Sequence, residues 1–178
     1  MLVRVSLLFA CLLIFTDTYS KNTSVDSLID LIKLSQNDSI TLNMQLKIAE
    51  ELIDTDSESA QIYAEDALSL AEDINYMKVK QKALRLIRQA AYFQKNYLKQ
   101  FIVNKKLENI YRENKDTAEI FKCVFYRLLS YRGMKEYDSA RVCLNELKEL
   151  NIAMGNEKDL EILNQTGNLF WHMKQIDS

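Results

Sequence analysis

The chain contains no proline and only three glycines among its 178 residues. Hairpins, sandwiches and doubly wound sheets all need many tight turns, and tight turns draw on these two residues for a fixed or a positive φ. A chain so poor in both is confined to helices joined by short polar connections. Its 48% hydrophobic residues supply a core, which excludes a disordered or low-complexity chain. A net charge of −2 points to neither nucleic acid nor an anionic membrane surface.

The first twenty residues read as an address. Arg4 precedes an apolar run from Val5 to Phe15, and Thr16 to Ser20 are polar. That order, with small side chains at Thr18 and Ser20, predicts a signal peptide over 1–20, cleaved after Ser20, and hence an exported chain, periplasmic or secreted. The run is too short to cross about 30 Å of hydrocarbon as a helix; a buried N-terminal helix is the alternative. Leu8-Phe9-Ala10-Cys11 only faintly resembles a lipoprotein box, because most of the apolar run follows the cysteine. No later stretch has the length and apolarity of a membrane span. Export leaves Cys123 and Cys143, which either pair as a disulfide or are small buried apolar residues. Without histidine partners they form no zinc site, and no metal or other cofactor is expected.

From Val25 onward apolar residues recur at helical spacing: Leu28, Ile29 and Ile32, then Leu42, Leu46, Ala49 and Ile53, then Ala60, Ala64, Ala67 and Ala71. The pattern predicts helices at 24–34, 40–53, 57–74, 77–94, 97–113, 117–132, 136–152 and 157–173. Asp116 with Glu119 has the form of a capping box, and Ser57 and Asn156 are candidate caps. Gly133 and Gly155 fall where helix ends call for a left-handed residue. Laid over itself, the chain repeats at a period near forty. Asn96-Tyr97 matches Glu136-Tyr137 and then Gln175-Ile176, and Ala60, Gln100 and Ala140 open three successive second helices. A helix pair repeated in this way cannot bury its apolar faces alone and must stack on its neighbours, which predicts an all-α solenoid.

The units themselves resemble the tetratricopeptide repeat family. The first keeps its second helix in Ala60, Ala64 and Ala67. The second reads Leu84-x2-Ile87-Arg88-x2-Ala91, followed by Tyr97 and Gln100. The third reads Val124-x2-Arg127-Leu128-x2-Tyr131, followed by Tyr137 and Ala140, and the last reads Leu163-x2-Thr166-Gly167-x2-Phe170. The likeness covers about 135 residues, with a period about six residues above the usual 34 and without the usual proline. This long form is similar to the exported repeat regions of bacterial sensor kinases and of regulators with a DNA-binding tail. The resemblance implies a right-handed solenoid over 21–178, with first helices and repeat 1 at 24–74, repeat 2 at 77–113, repeat 3 at 117–152 and an incomplete repeat 4 at 157–178. It also implies a close helix crossing at Gly167.

The resemblance further implies that the first helix of each pair lines a concave groove for a peptide or protein. Lys82, Arg85, Gln89 and Tyr92 would stand there in the second repeat, and Lys122, Phe125, Leu129 and Arg132 in the third. Cations beside aromatic anchors suit a carboxylate with an apolar neighbour, hence a possibly acidic partner. Tyr126, Glu161 and Gln165 break the family's pattern for clamping C-terminal acidic peptides, so that role is not transferred. Charge is segregated along the chain: residues 26–77 hold 12 acids against two bases, and residues 78–115 hold 11 bases against two acids. Either the two segments attract each other or the basic one offers a groove to an acidic partner. No nucleophile–base set, phosphate loop or paired-carboxylate arrangement is present, and His172 has no catalytic company, so no enzyme and no nucleic-acid partner is expected. Because Ile176-Asp177-Ser178 matches Tyr137-Asp138-Ser139 and no second helix follows, the expected chain is an N-terminal sensory fragment of a larger signalling protein or a repeat array whose uncapped last helix self-associates.

Overall fold

A computed structural model describes residues 25–35 and 37–174 of the protein. The expected signal peptide over 1–20 and the last four residues, with the repeat match at Gln175 and Ile176, lie outside the described residues. Among the described residues eight helices follow one another: α1 (25–34), α2 (Asp38–Leu52), α3 (Ser57–Asp73), α4 (Met77–Phe93), α5 (Tyr97–Glu113), α6 (Thr117–Gly133), α7 (Tyr137–Ala153) and α8 (Asp159–Lys174). There is no strand among the described residues. From α2 to α8 consecutive helices pack mainly on one another, the arrangement of a helical solenoid.

A finer period than forty governs the stack. Helices α3 to α7 each have 17 residues and start 20 residues apart, at Ser57, Met77, Tyr97, Thr117 and Tyr137. The cause is one turn, repeated. Asn75, Lys95, Lys115, Lys135 and Gly155, also 20 apart, have φ of 52°, 55°, 55°, 63° and 79°. Each sits just past a helix end, where two backbone bonds close the turn. At the first, Tyr76 N donates to Ala71 O (2.9 Å) and Asn75 N to Glu72 O (3.2 Å), and the later four repeat this pair of bonds. This is the Schellman arrangement, which satisfies carbonyls that the helix leaves unpaired. Three of the five turns place lysine in a region that costs an L-residue about 1–2 kcal/mol, an expense offset by those bonds and by the stacking they permit.

Three expectations about turn chemistry are corrected here. Gly133 is not the left-handed residue; it lies in the last turn of α6 with Lys135 left-handed beyond it. Its missing Cβ makes room for the ring of Tyr97, at the start of α5. Ser57 is the first helical residue rather than the cap; the Asp56 carboxylate accepts from Ser59 N at 3.1 Å, and hydrogen bonding from the Ser59 side chain first and its backbone second holds its pKa below the usual value. Asn156 is left-handed and caps nothing, because α8 starts at Asp159. Asp116 does cap α6, accepting from Glu119 N at 3.1 Å.

The core is continuous along the stack. In α3, Ala60, Ala64, Ala67 and Ala71 are fully buried, and their small size lets α2 and α4 approach closely. Larger residues take over further along: Leu84, Ile87, Leu107, Leu128 and Leu147 are at most 2% exposed, each burial stabilising the fold by about 1.5–3 kcal/mol. Tyr131 packs against Phe101, with ring centroids 5.1 Å apart. Gly167 departs from expectation, because a Cβ there would meet nothing within 4 Å and no close helix crossing explains it. The side chain of Phe170 lies outside the described residues.

Gly133→Ala separates packing from helix propensity. Alanine gains up to about 1 kcal/mol in a helix, whereas overlap with a packed ring costs about 1–3 kcal/mol. The expected outcome in urea unfolding is a net loss of stability that shrinks in a Tyr97→Leu background; a stabilised Gly133→Ala would contradict the contact.

Candidate functional site

Helices α4, α6 and α8 border an open groove of about 980 Å³. From the expected binding set it takes Arg85, Lys122 and Phe125, and it adds Arg88, Phe121 and Tyr126, with Glu119 on α6 and Glu157, Lys158 and Glu161 around the start of α8. The other expected residues stand elsewhere. Lys82 is bound to Glu50 of α2 at 2.9 Å, and Arg132 donates to Gln165 of α8 at 3.0 Å. Tyr92 is exposed with its ring edge against Phe93, and Gln89 is half-buried on α4. Leu129 is buried in the core and offers no groove surface.

Arg88 defines the floor. It is 6% exposed; its guanidinium lies 3.7 Å from the centroid of the Tyr126 ring, and it donates to Asn104 Oδ1 at 3.0 Å. Its Nε has no hydrogen-bond partner. Burial lowers its pKa from the ordinary arginine value, although a guanidinium stays charged at any ordinary pH. One turn earlier, Arg85 donates to the Tyr111 hydroxyl at 2.8 Å. Neither arginine forms an ion pair among the described residues, so two cations at the groove meet only neutral partners. Lys122 is paired with Glu119 at 2.5 Å. The groove therefore has a cationic floor, an aromatic wall and an acidic edge at Glu157 and Glu161.

The floor rests on a polar stripe along α5. Gln100, Asn104 and Glu108, spaced one helical turn apart, are all buried. Gln100 accepts from Ser130 Oγ (3.0 Å), and Asn104 donates to Cys123 O (2.6 Å) while accepting from Arg88. Arg127 Nη1 donates to both carboxylate oxygens of Glu108 at 2.9 Å, and Arg112 donates to Glu108 Oε1 from Nε at 2.9 Å and from Nη2 at 2.6 Å; Glu146 of α7 binds the same two arginines. Burial opposes the charge on Arg127, but Cys143, Glu108 and Glu146 together raise its pKa above the usual arginine range. Apart from Gln100 Nε2 and Arg88 Nε, which have no partner among the described residues, these buried polar groups are satisfied in this register of α4 to α7 and would be stranded in another. Sequence reading took Gln100 only as the counterpart of Ala60 and Ala140; the polar residues at 100, 104 and 108 together were the available clue.

The charge segregation is partly consumed by the stack: Lys82–Glu50, Lys80–Glu72 and Lys99–Glu65 tie the basic segment to the acidic one. These pairs are partly exposed and each contributes little, about 0–1 kcal/mol. No group of three or more metal-ligating side chains occurs among the described residues, and no described helix is long and apolar enough to cross a membrane.

Cys123 and Cys143 are buried free thiols on α6 and α7. Burial pushes the Cys123 thiol up to about 11 from 9.0 and raises Cys143 as well. The folded state thus favours the protonated thiol, so its contribution to stability is present below pH 9 and is lost as the pH rises toward 11. At pH 8 the chain 21–178 should react with a thiol reagent only after denaturation, releasing two equivalents. Fast reaction in buffer, or a missing thiol after denaturation, would contradict this. No protein-family model and no curated protein sequence matches the chain.

Proposed function

We propose that the chain is an exported, tetratricopeptide-like interaction module whose groove between α4, α6 and α8 takes an acidic segment of a partner polypeptide. The observation that carries the reading is the pair Arg85 and Arg88, two cations bordering the groove that pair with no carboxylate among the described residues. A partner carboxylate brought to Arg85 and Arg88 forms charge-assisted bonds, stronger than those between neutral groups. An apolar neighbour of that carboxylate rests on Phe125 and Tyr126, and a basic residue further along meets Glu157 and Glu161. Stacked helices hold these groups in place before binding, so little ordering cost falls on the module. Export is supported by the order of charge, apolar run and small residues over 1–20.

Selection of a displayed random-peptide library on the chain 21–178 tests this. The expected ligands carry Asp or Glu beside an apolar residue and lose about tenfold or more in affinity on Arg85→Glu or Lys122→Glu, a change of about 1.4 kcal/mol. Ligands without an acidic residue, or ones that bind the charge-reversed proteins equally well, would overturn the reading.

A further inference from the structure

A second surface lies away from the groove, on the outer side of α3 and α5. Ile62 and Ile102 occupy equivalent positions in these helices, 40 residues apart, and are 58% and 50% exposed. Val142 continues the ladder on α7 at 66% exposure. Beside Ile102, Leu98 is also exposed, and both border a cleft of about 410 Å³ shared with Glu65 and Leu68 of α3. Single exposed apolar residues are ordinary; a row at one register position on adjacent helices is not.

The charges around this row are inverted between the two helices. Where α3 has Glu65, Asp66 and Glu72, the equivalent positions of α5 carry Lys105, Lys106 and Arg112. Asp66, Lys105 and Lys106 are exposed and make no ion pair among the described residues. Helices α3 and α5 run in the same direction, because each turns back once through α4. A two-fold axis along that direction, between α3 and α5, lays α3 of one copy over α5 of another at unchanged height. Ile62 then faces Ile102, Glu65 faces Lys105, Asp66 faces Lys106 and Glu72 faces Arg112, each contact occurring twice. Glu65, Glu72 and Arg112 are already ion-paired within the chain, so Asp66 against Lys106 is the charge contact formed between two groups that are otherwise unpaired among the described residues. Only Asp73 against Glu113, at the far end, opposes like charges. A two-fold axis across the helices would instead set α3 against α3, acid on acid.

We infer that the outer face of α3 and α5 is a self-complementary surface that docks a second copy of this chain as an isologous dimer. Seventeen-residue helices are about 25 Å long and about 10 Å across, so the outer faces of two of them side by side offer about 500 Å² per copy. A total of about 1,000 Å² lies at the lower edge of specific interfaces, which places the dimer in a weak, micromolar range. This inference does not depend on the groove reading, since no residue of the face borders that groove.

Sedimentation equilibrium on the chain 21–178, with circular dichroism as the control for folding, tests it. The expected behaviour is a monomer–dimer equilibrium that weakens at molar salt and falls about tenfold or more in affinity with Ile102→Asp, each substitution counting twice. Lys106→Asp weakens association, and combining it with Asp66→Lys in the same chain restores it, because each charge meets the other on the second copy. A monomer at every accessible concentration would overturn the inference. So would a dimer that ignores these changes but is broken by Leu160→Asp on α8, where Leu160 is 83% exposed.

Discussion

Five backbone residues held at positive φ, at 75, 95, 115, 135 and 155, set the dimensions of everything else in this protein. Each closes a helix with the same pair of bonds; the first four start the next helix two residues later, and the last, at Gly155, four residues later. Helices of equal length joined by equal turns return to the same height at every second helix. That is why Ala60, Gln100 and Ala140 fall at one level, and why the Tyr97 ring meets the last turn of α6 at Gly133. A turn one residue longer would rotate the following helix by about 100° and take its apolar stripe away from the core.

Regular turns fix height, but apolar contacts alone tolerate sliding. The α5 stripe removes that freedom. Asn104 joins Arg88 of α4 to a backbone carbonyl of α6, and Glu108 with Glu146 shares Arg112 and Arg127 among α5, α6 and α7. Breaking such a buried set is costly because it strands charges away from water. The same stripe supports the groove: Asn104 steadies the Arg88 guanidinium and the Tyr111 hydroxyl steadies Arg85, so the cationic floor is held from behind by the middle of the stack.

How much of this could be read from the sequence depended on whether the determining signal was periodic. The helices could be placed within a few residues because apolar residues repeat at 3.6, and the forty-residue period pointed to stacked helix pairs. The left-handed lysines were hidden, since Lys95, Lys115 and Lys135 carry no preference for positive φ and are held there by their turns. Gly133 misled for the converse reason, a residue suited to a helix end being used to admit a ring from another helix. In the candidate site, Arg85, Lys122 and Phe125 were placed by position on a first helix, and they do border one groove. Arg88 was missed because it stands in a repeat position usually filled by an apolar residue. Leu129 was misassigned because one turn of helix separates the groove wall from the core.

The twenty-residue turn is the claim on which stack height, groove and outer face all depend, and backbone NMR measures it directly. Carbon chemical shifts and HN–Hα couplings of the isotopically labelled chain 21–178 should mark Asn75, Lys95, Lys115 and Lys135 as left-handed, each between helical runs of about 17 residues. Helical shifts continuing through any of these residues, or left-handed shifts at Gly133, would contradict it.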